Sequence, residues 1–196
     1  MELDDMNITA LRKYAGEFSE DKNREYILTV VIQLYATGVS SKQTYFSIFL
    51  VGEISPYNME ALDFLRYKVS QNHDWRAQEV LAKAFDTFCS KTGYENALPI
   101  INEWLSDKNA NVRRAVTEGL RVWTAKPFFK ENPEVAIQLL SNLKNDPSEY
   151  VRKSVGNAIR DISKKHRELV QKALINWNCN EAFVLFTYQI ASRHMI

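Results

Sequence analysis

Two residues with complementary chemistry stand four positions apart in the chain, Trp75 and Glu79. On an α-helix, residues at this spacing project from the same face. A carboxylate and the face of an indole ring both attract positive charge, so the pair could stabilise a cation or a transition state in which positive charge develops. The structural alternatives are that Trp75 fills space between packed helices and that Glu79 is an ordinary solvated carboxylate.

A second group of candidate residues is basic. Arg113 and Arg114 are adjacent, and Arg152, Lys153 and Arg160 follow at similar steps in a later segment. Residues 108–172 contain 14 Lys/Arg and 7 Asp/Glu, whereas residues 1–107 contain 10 and 16. This asymmetry indicates that the later segment meets an anion such as a phosphate backbone. The alternative is that these charges coat solvated helix faces.

A recurring pattern indicates which elements position these side chains. It occurs at Trp75–Val80, Asn111–Val116 and Tyr150–Val155, and its valines are 36 and 39 residues apart. That spacing is typical of a HEAT-type repeat, in which a helix, a turn and an antiparallel helix form one unit. The pattern predicts an all-α, HEAT-like solenoid whose concave groove carries the functional residues.

Composition and turn residues support the helical prediction. Six Gly and five Pro in 196 residues leave little room for the turns of an all-β fold. Gly38 is a stop signal, Ser40 or Ser41 is the expected N-cap of the next helix, and Trp104, Trp123 and Trp177 are expected in the core. We predict helices at about 7–18, 24–36, 41–51, 58–70, 74–89, 94–105, 109–124, 133–143, 148–164, 167–177 and 181–193.

Several classes of protein are disfavoured. Cys89 and Cys179 have no metal-ligand spacing and are expected to be small buried residues in a reducing compartment, which favours the cytoplasm. The acidic start of the chain and the shortness of its apolar runs argue against a signal peptide and a membrane span. No phosphate-binding glycine loop, metal motif or nucleophile elbow is present, so no metal or small-molecule cofactor is expected. We predict a monomer with a single domain, 1–196, in which 1–57 are divergent N-terminal helices and 58–196 are repeats.

The sequence from about Asp63 to Trp177 resembles the DNA alkylation-repair family of HEAT-like repeat proteins. The resemblance is clearest in Trp75 with Glu79, in the segment from Glu103 to Ala115 (EWLSDKNANVRRA) and in the segment from Tyr150 to Arg160 (YVRKSVGNAIR). It implies a partner, duplex or structured DNA, and an activity, the removal of cationic 3- and 7-alkylated purines without flipping the base into a pocket.

The resemblance also implies roles for individual residues. Trp75 corresponds to an aromatic that family members place against the lesion-bearing backbone, Glu79 to their carboxylate, which is usually Asp, and Arg114 to their arginine. Asn157 stands where active members usually have a second Trp. On this basis Glu79 and Trp75 are the expected catalytic residues, and the expected DNA-binding residues are Arg113, Arg114, Arg152, Lys153, Asn157 and Arg160.

Two further functions stay open on the sequence. The scaffold could be a catalytically inactive HEAT-repeat module that binds unusual DNA structures, because Glu79 and Asn157 both depart from the pattern of active members. It could instead bind a protein partner. RNA binding has no positive feature in its favour.

Overall fold

The computed structural model describes residues 3–195, and within that range it contains helices and no β-strand. The chain divides into two compact units, one that ends at Gly93 and one that begins at Tyr94. The all-α repeat fold is therefore confirmed. The prediction of a single domain with a divergent segment 1–57 stays a prediction.

Between residues 3 and 93, the first unit contains five α-helices joined by short turns. Helix α3 is its centre, because α1, α2 and α5 all pack against it. Three 3₁₀ turns, Leu3–Asp5, Ser55–Tyr57 and Val69–Gln71, complete the unit. The helices are α1 (Ile8–Glu20), α2 (Arg24–Thr37), α3 (Ser41–Ile54), α4 (Met59–Tyr67) and α5 (Trp75–Thr92).

The described part of the second unit, residues 94–195, contains seven α-helices. Helix α10 is its centre and packs against α7 on one side and α12 on the other. Trp104, Trp123 and Trp177 are buried, as predicted. The helices are α6 (Leu98–Leu105), α7 (Ala110–Trp123), α8 (Pro127–Glu131), α9 (Pro133–Ser141), α10 (Glu149–Ser163), α11 (Arg167–Ile175) and α12 (Ala182–Ala191).

Local signals explain where these helices begin and end. Gly38 ends α2 in the left-handed conformation, with φ of 55°, and the Ser40 side chain caps α3 by accepting a hydrogen bond from the Gln43 amide. No helix was predicted between residues 124 and 133, but α8 begins there at Pro127, because proline suits the first position of a helix. The helix predicted from residue 94 begins at Leu98.

The same turn precedes α5, α7 and α10. The side chains of Asn72, Asp107 and Asp146 each accept a hydrogen bond from the backbone amide two residues later, at 2.9, 2.7 and 2.8 Å. These positions are 35 and 39 residues apart. The turns of the first two repeats are therefore one residue closer together than the matched valines Val80 and Val116, which are 36 residues apart.

Close packing of α3 on α5 depends on Gly52. A Cβ atom added there would lie 2.9 Å from Ala84 Cα, which is backbone and cannot swing aside. We expect Gly52→Ala to lower the free energy of unfolding by about 1–3 kcal/mol, measured by urea denaturation. Gly16→Ala is the matched control, because the nearest atom to its added Cβ is 4.0 Å away and alanine favours the interior of α1. Equal urea midpoints for the two variants would contradict this packing.

Candidate nucleic-acid interface

The pair Trp75 and Glu79 lies on the surface of α5. Trp75 is the first residue of the helix and is 57% exposed, unlike the three buried tryptophans. Glu79 is one turn later and is also exposed, with no hydrogen bond or ion pair from the described residues. The Arg76 guanidinium lies 4.9 Å from the centroid of the Trp75 ring. The pair is therefore open to a ligand. Trp75 does not fill space between packed helices, which was the structural alternative.

A set of side-chain hydrogen bonds fixes the start of α5 and hence the position of Trp75. The Asp74 carboxylate accepts from the Arg76 amide at 2.9 Å and from the Tyr45 hydroxyl. The buried Gln78 amide donates to the carbonyls of Val69 and Asn72, at 3.1 and 2.6 Å. These contacts hold the turn before the helix, so the exposed indole stands on a rigid base.

Burial and the neighbouring Asp74 raise the pKa of the Tyr45 hydroxyl. Tyr45 therefore stays protonated at neutral pH and keeps donating to the Asp74 carboxylate. Sequence reasoning missed this support, because Tyr45 lies on another helix and nothing in its spacing links it to α5.

In the second unit, Arg113 is buried in an ion pair. Its Nε and one terminal nitrogen donate to the two carboxylate oxygens of Asp146, both at 2.7 Å, and the other terminal nitrogen donates to the carbonyls of Asp107 and Lys108. Bidentate geometry of this kind gives the stronger arginine–carboxylate contacts. Arg113 was predicted to bind DNA, but its guanidinium is buried and joins two successive turns.

Arg152 is the repeat equivalent of Arg113 and also turns inward. It is buried and donates to the carbonyls of Asp146 and Pro147, at 2.5 and 3.1 Å. No third aspartate follows in the chain at the repeat spacing, and the guanidinium instead lies 3.9 Å from the centroid of the Phe183 ring. Arg152 was predicted to bind DNA, but its guanidinium is held inside the unit.

A seam of polar side chains lies between α7 and α10 and contains Arg114, Thr117, Glu118 and Ser154. The Arg114 guanidinium lies 3.5 Å from the Glu118 carboxylate and 4.4 Å from the centroid of the Tyr150 ring. Glu118 accepts a hydrogen bond from the Ser154 hydroxyl at 2.8 Å, and Ser154 also bonds to Thr117. These partners orient Arg114, which is buried to nearly the same extent as Arg113 but has no bidentate ion pair.

Further along the same seam, the Arg121 guanidinium donates to the Asp161 carboxylate. Burial alone would raise the pKa of Asp161, but hydrogen bonds from Lys164 and Arg121 lower it below its usual value. Asp161 therefore stays ionised at neutral pH and fixes Arg121 at this end of the seam.

The remaining predicted residues lie on α10. Lys153 is exposed and pairs with Glu149 at 2.7 Å, which lowers the pKa of that carboxyl. Asn157 is half-buried and makes no side-chain hydrogen bond within residues 3–195. Arg160 is largely buried, and its Nε has no hydrogen-bond acceptor among the described residues. Asn157 and Arg160 therefore keep hydrogen-bonding capacity that the fold does not use.

Sequence reasoning also missed Asp146 and Glu118. An Asp six residues before an Arg occurs at both Asp107–Arg113 and Asp146–Arg152, and this repeated spacing is the sequence signal from which Asp146 could have been found.

Within residues 3–195, no group of three His, Cys, Asp or Glu side chains could hold a metal ion. No helix in that range has the length and apolarity needed to span a membrane. Cys89 is buried and Cys179 is half-exposed, and both are free.

The fold and these surfaces define an all-α helical-repeat protein. A model of the family described as DNA alkylation repair enzyme matches residues 5–195. The chain therefore belongs to the DNA alkylation repair enzyme family.

Known proteins agree with this assignment. The crystal structure of AlkD2 from Streptococcus mutans is 46% identical, with a TM-score of 0.91 over 97% of this chain and 91% of that one. The uncharacterized protein YhaZ of Bacillus subtilis (strain 168) is 41% identical over 78 residues, a match that spans 38% of this chain and only 22% of YhaZ.

A more distant likeness concerns a protein solved with DNA. Pseudomonas fluorescens alkylpurine DNA glycosylase AlkC, bound to DNA containing an abasic site analog, is 19% identical with a TM-score of 0.54, over 94% of this chain and 64% of that one. At this identity, the likeness shows a shared fold.

Proposed function

We propose that this protein binds DNA that carries a cationic N3- or N7-alkylated purine and hydrolyses the N-glycosidic bond of that nucleotide. Membership of the alkylation-repair family supports a role in DNA repair. The observation that carries the proposal is the exposure of Trp75 together with Glu79 on one face of α5. Tryptophan is seldom this exposed, Glu79 has no ion pair among the described residues, and a cation would match both groups.

The chemistry follows from the charge of the lesion. When the bond between C1′ and the purine nitrogen breaks, its electron pair leaves with the base, which becomes neutral. Positive charge then develops on the sugar, and the Glu79 carboxylate stabilises it. The Trp75 ring contributes its π face to the same cation. Water adds to C1′ and releases a proton to solvent, which completes the hydrolysis.

Phosphate binding is assigned first to Lys153, which is exposed. Arg114 and Arg160 are mostly buried, but neither makes a bidentate ion pair, and a small part of each side chain reaches the surface. Such contacts would fix the register of the duplex rather than read its bases. Arg113 and Arg152 are left out of this set because their guanidinium groups bind carbonyls and a carboxylate inside the unit.

A second candidate function is DNA binding without excision. Two observations favour it: Asn157 offers no ring at the position of the family's second Trp, and Glu79 is one methylene longer than Asp. Misplacing a catalytic group by about 1 Å can cost roughly 100-fold in rate.

The test is a base-release time course with excess protein and a duplex containing one 7-methylguanine, run beside spontaneous depurination. Release faster than the spontaneous rate supports excision. Binding with a negative slope of log affinity against log salt, without release, supports the second candidate. Absence of both would refute the proposal and leave a protein partner to be sought.

We expect Trp75→Ala to weaken binding to alkylated duplex by about tenfold, because one aromatic contact contributes roughly 1–3 kcal/mol. The urea midpoint should be unchanged, since the indole is largely exposed. Fluorescence anisotropy with labelled duplex measures the affinity, and Trp75→Phe should retain most of it. A variant that loses stability instead of affinity would show that Trp75 serves the fold.

A further inference from the structure

Tyr150 is an exposed aromatic residue in the first turn of α10. It is 43% exposed, although the large apolar ring of a tyrosine is usually packed against other side chains. The Arg114 guanidinium lies 4.4 Å from the ring centroid, which places a cation against the ring. Arg114 in turn is held by Glu118, and Glu118 by Ser154. The ring is thus supported by groups that are themselves fixed, while it stays accessible to solvent.

Tyr150 also shares a stripe of α10 with Asn157. The two residues are seven positions apart, which is two helical turns and returns to the same face. Asn157 has an unused side-chain amide, and the exposed Lys153, which pairs with Glu149, lies between them. Arg114 adds a second charge beside the ring. An aromatic ring bordered by basic groups is the arrangement with which proteins bind unstacked bases next to a phosphate backbone.

We infer that Tyr150, backed by Arg114, is a stacking platform for an unpaired nucleobase. This inference rests on the proposed DNA binding. It specifies the DNA that the second unit favours, which is a duplex with one base outside the stack. It also supplies an aromatic contact on the helix where Asn157 leaves none. Stacking is tolerant of sequence, because every base has a π face.

The test uses two duplexes that differ by one base, a single-nucleotide bulge and the same bulge with an abasic nucleotide. Tyr150→Ala is expected to weaken binding to the base-containing bulge by about tenfold and to leave the abasic bulge nearly unchanged. Tyr150→Phe keeps the ring and should bind as the wild type does. The salt dependence should not change in Tyr150→Ala, whereas Arg114→Ala should reduce the slope by about one phosphate contact.

Tyr57→Ala is the matched control. Like Tyr150, Tyr57 is exposed, at 57%, and has a guanidinium near its ring, that of Arg24 at 4.2 Å from the centroid. Tyr57 follows the C-terminal end of α3, whereas Tyr45, which contacts the start of α5, lies near the N-terminal end. It should bind both bulges like the wild type. Equal losses on both bulges in Tyr150→Ala, or no loss on either, would overturn the inference while leaving the proposed function intact. A wild-type protein that binds no DNA would overturn both.

Discussion

Glu79→Gln is expected to slow release of 7-methylguanine by about 100-fold or more under single-turnover conditions. The amide keeps the size and exposure of the carboxylate but removes the negative charge that stabilises the developing sugar cation. Removal of one well-placed electrostatic group typically costs about 10²–10³ in rate. Binding of undamaged duplex should improve slightly or stay the same, because the change removes a charge that repels phosphate.

Glu60→Gln is the control for this experiment. Glu60 is an exposed carboxylate in the first turn of α4, in the same unit as Glu79, so the two substitutions change the net charge equally. It should leave base release unchanged. Equal rates for Glu79→Gln and the wild type, in a preparation that releases base, would show that the carboxylate does not act on the transition state.

Arg113→Ala is expected to destabilise the protein by about 3–5 kcal/mol, because it leaves the Asp146 carboxylate buried without its partner. The urea midpoint of the second unit should fall sharply. Arg121→Ala is the matched control: that guanidinium pairs with Asp161 but is 38% exposed, and pairs near the surface contribute about 0–1 kcal/mol.

A double variant distinguishes two causes of the stability loss in Arg113→Ala: the lost attraction between Arg113 and Asp146, and the buried Asp146 charge left without a partner. Replacing Arg113 with Met and Asp146 with Leu removes both charges from the buried site, and exchanges of this kind are often neutral or stabilising. We therefore expect this variant to recover much of the stability lost in Arg113→Ala. If Arg113→Ala kept the wild-type midpoint and lost only DNA affinity, Arg113 would be a phosphate contact, as its sequence position first suggested.

Helix positions could be predicted because their signals are local. Gly38 and Ser40 mark a helix end and a helix start through their own backbone and side-chain preferences, and both lie where expected. Trp75 was harder, because a tryptophan serves equally as core or as contact residue. Its exposure follows from its place at the first position of α5, where the buried face is taken by Ala77, Val80 and Leu81.

The functions of adjacent arginines could not be separated from sequence. Arg113 and Arg114 are identical in type and neighbours in the chain, but successive helix residues point about 100° apart. Arg113 meets Asp146, which lies 33 residues later, whereas Arg114 meets Glu118 one turn away and the Tyr150 ring. Only the packing of α7 beside α10 decides which partners each guanidinium meets.

The central claim is that Glu79 and Trp75 together favour a positively charged nucleotide. The most direct measurement compares affinity for duplexes that carry a protonated pyrrolidine abasic nucleotide or a neutral tetrahydrofuran one, in the wild type and in Glu79→Gln. We predict tighter binding of the charged analog by the wild type and loss of that preference in Glu79→Gln. An equal preference in both proteins, or none in the wild type, would contradict the account.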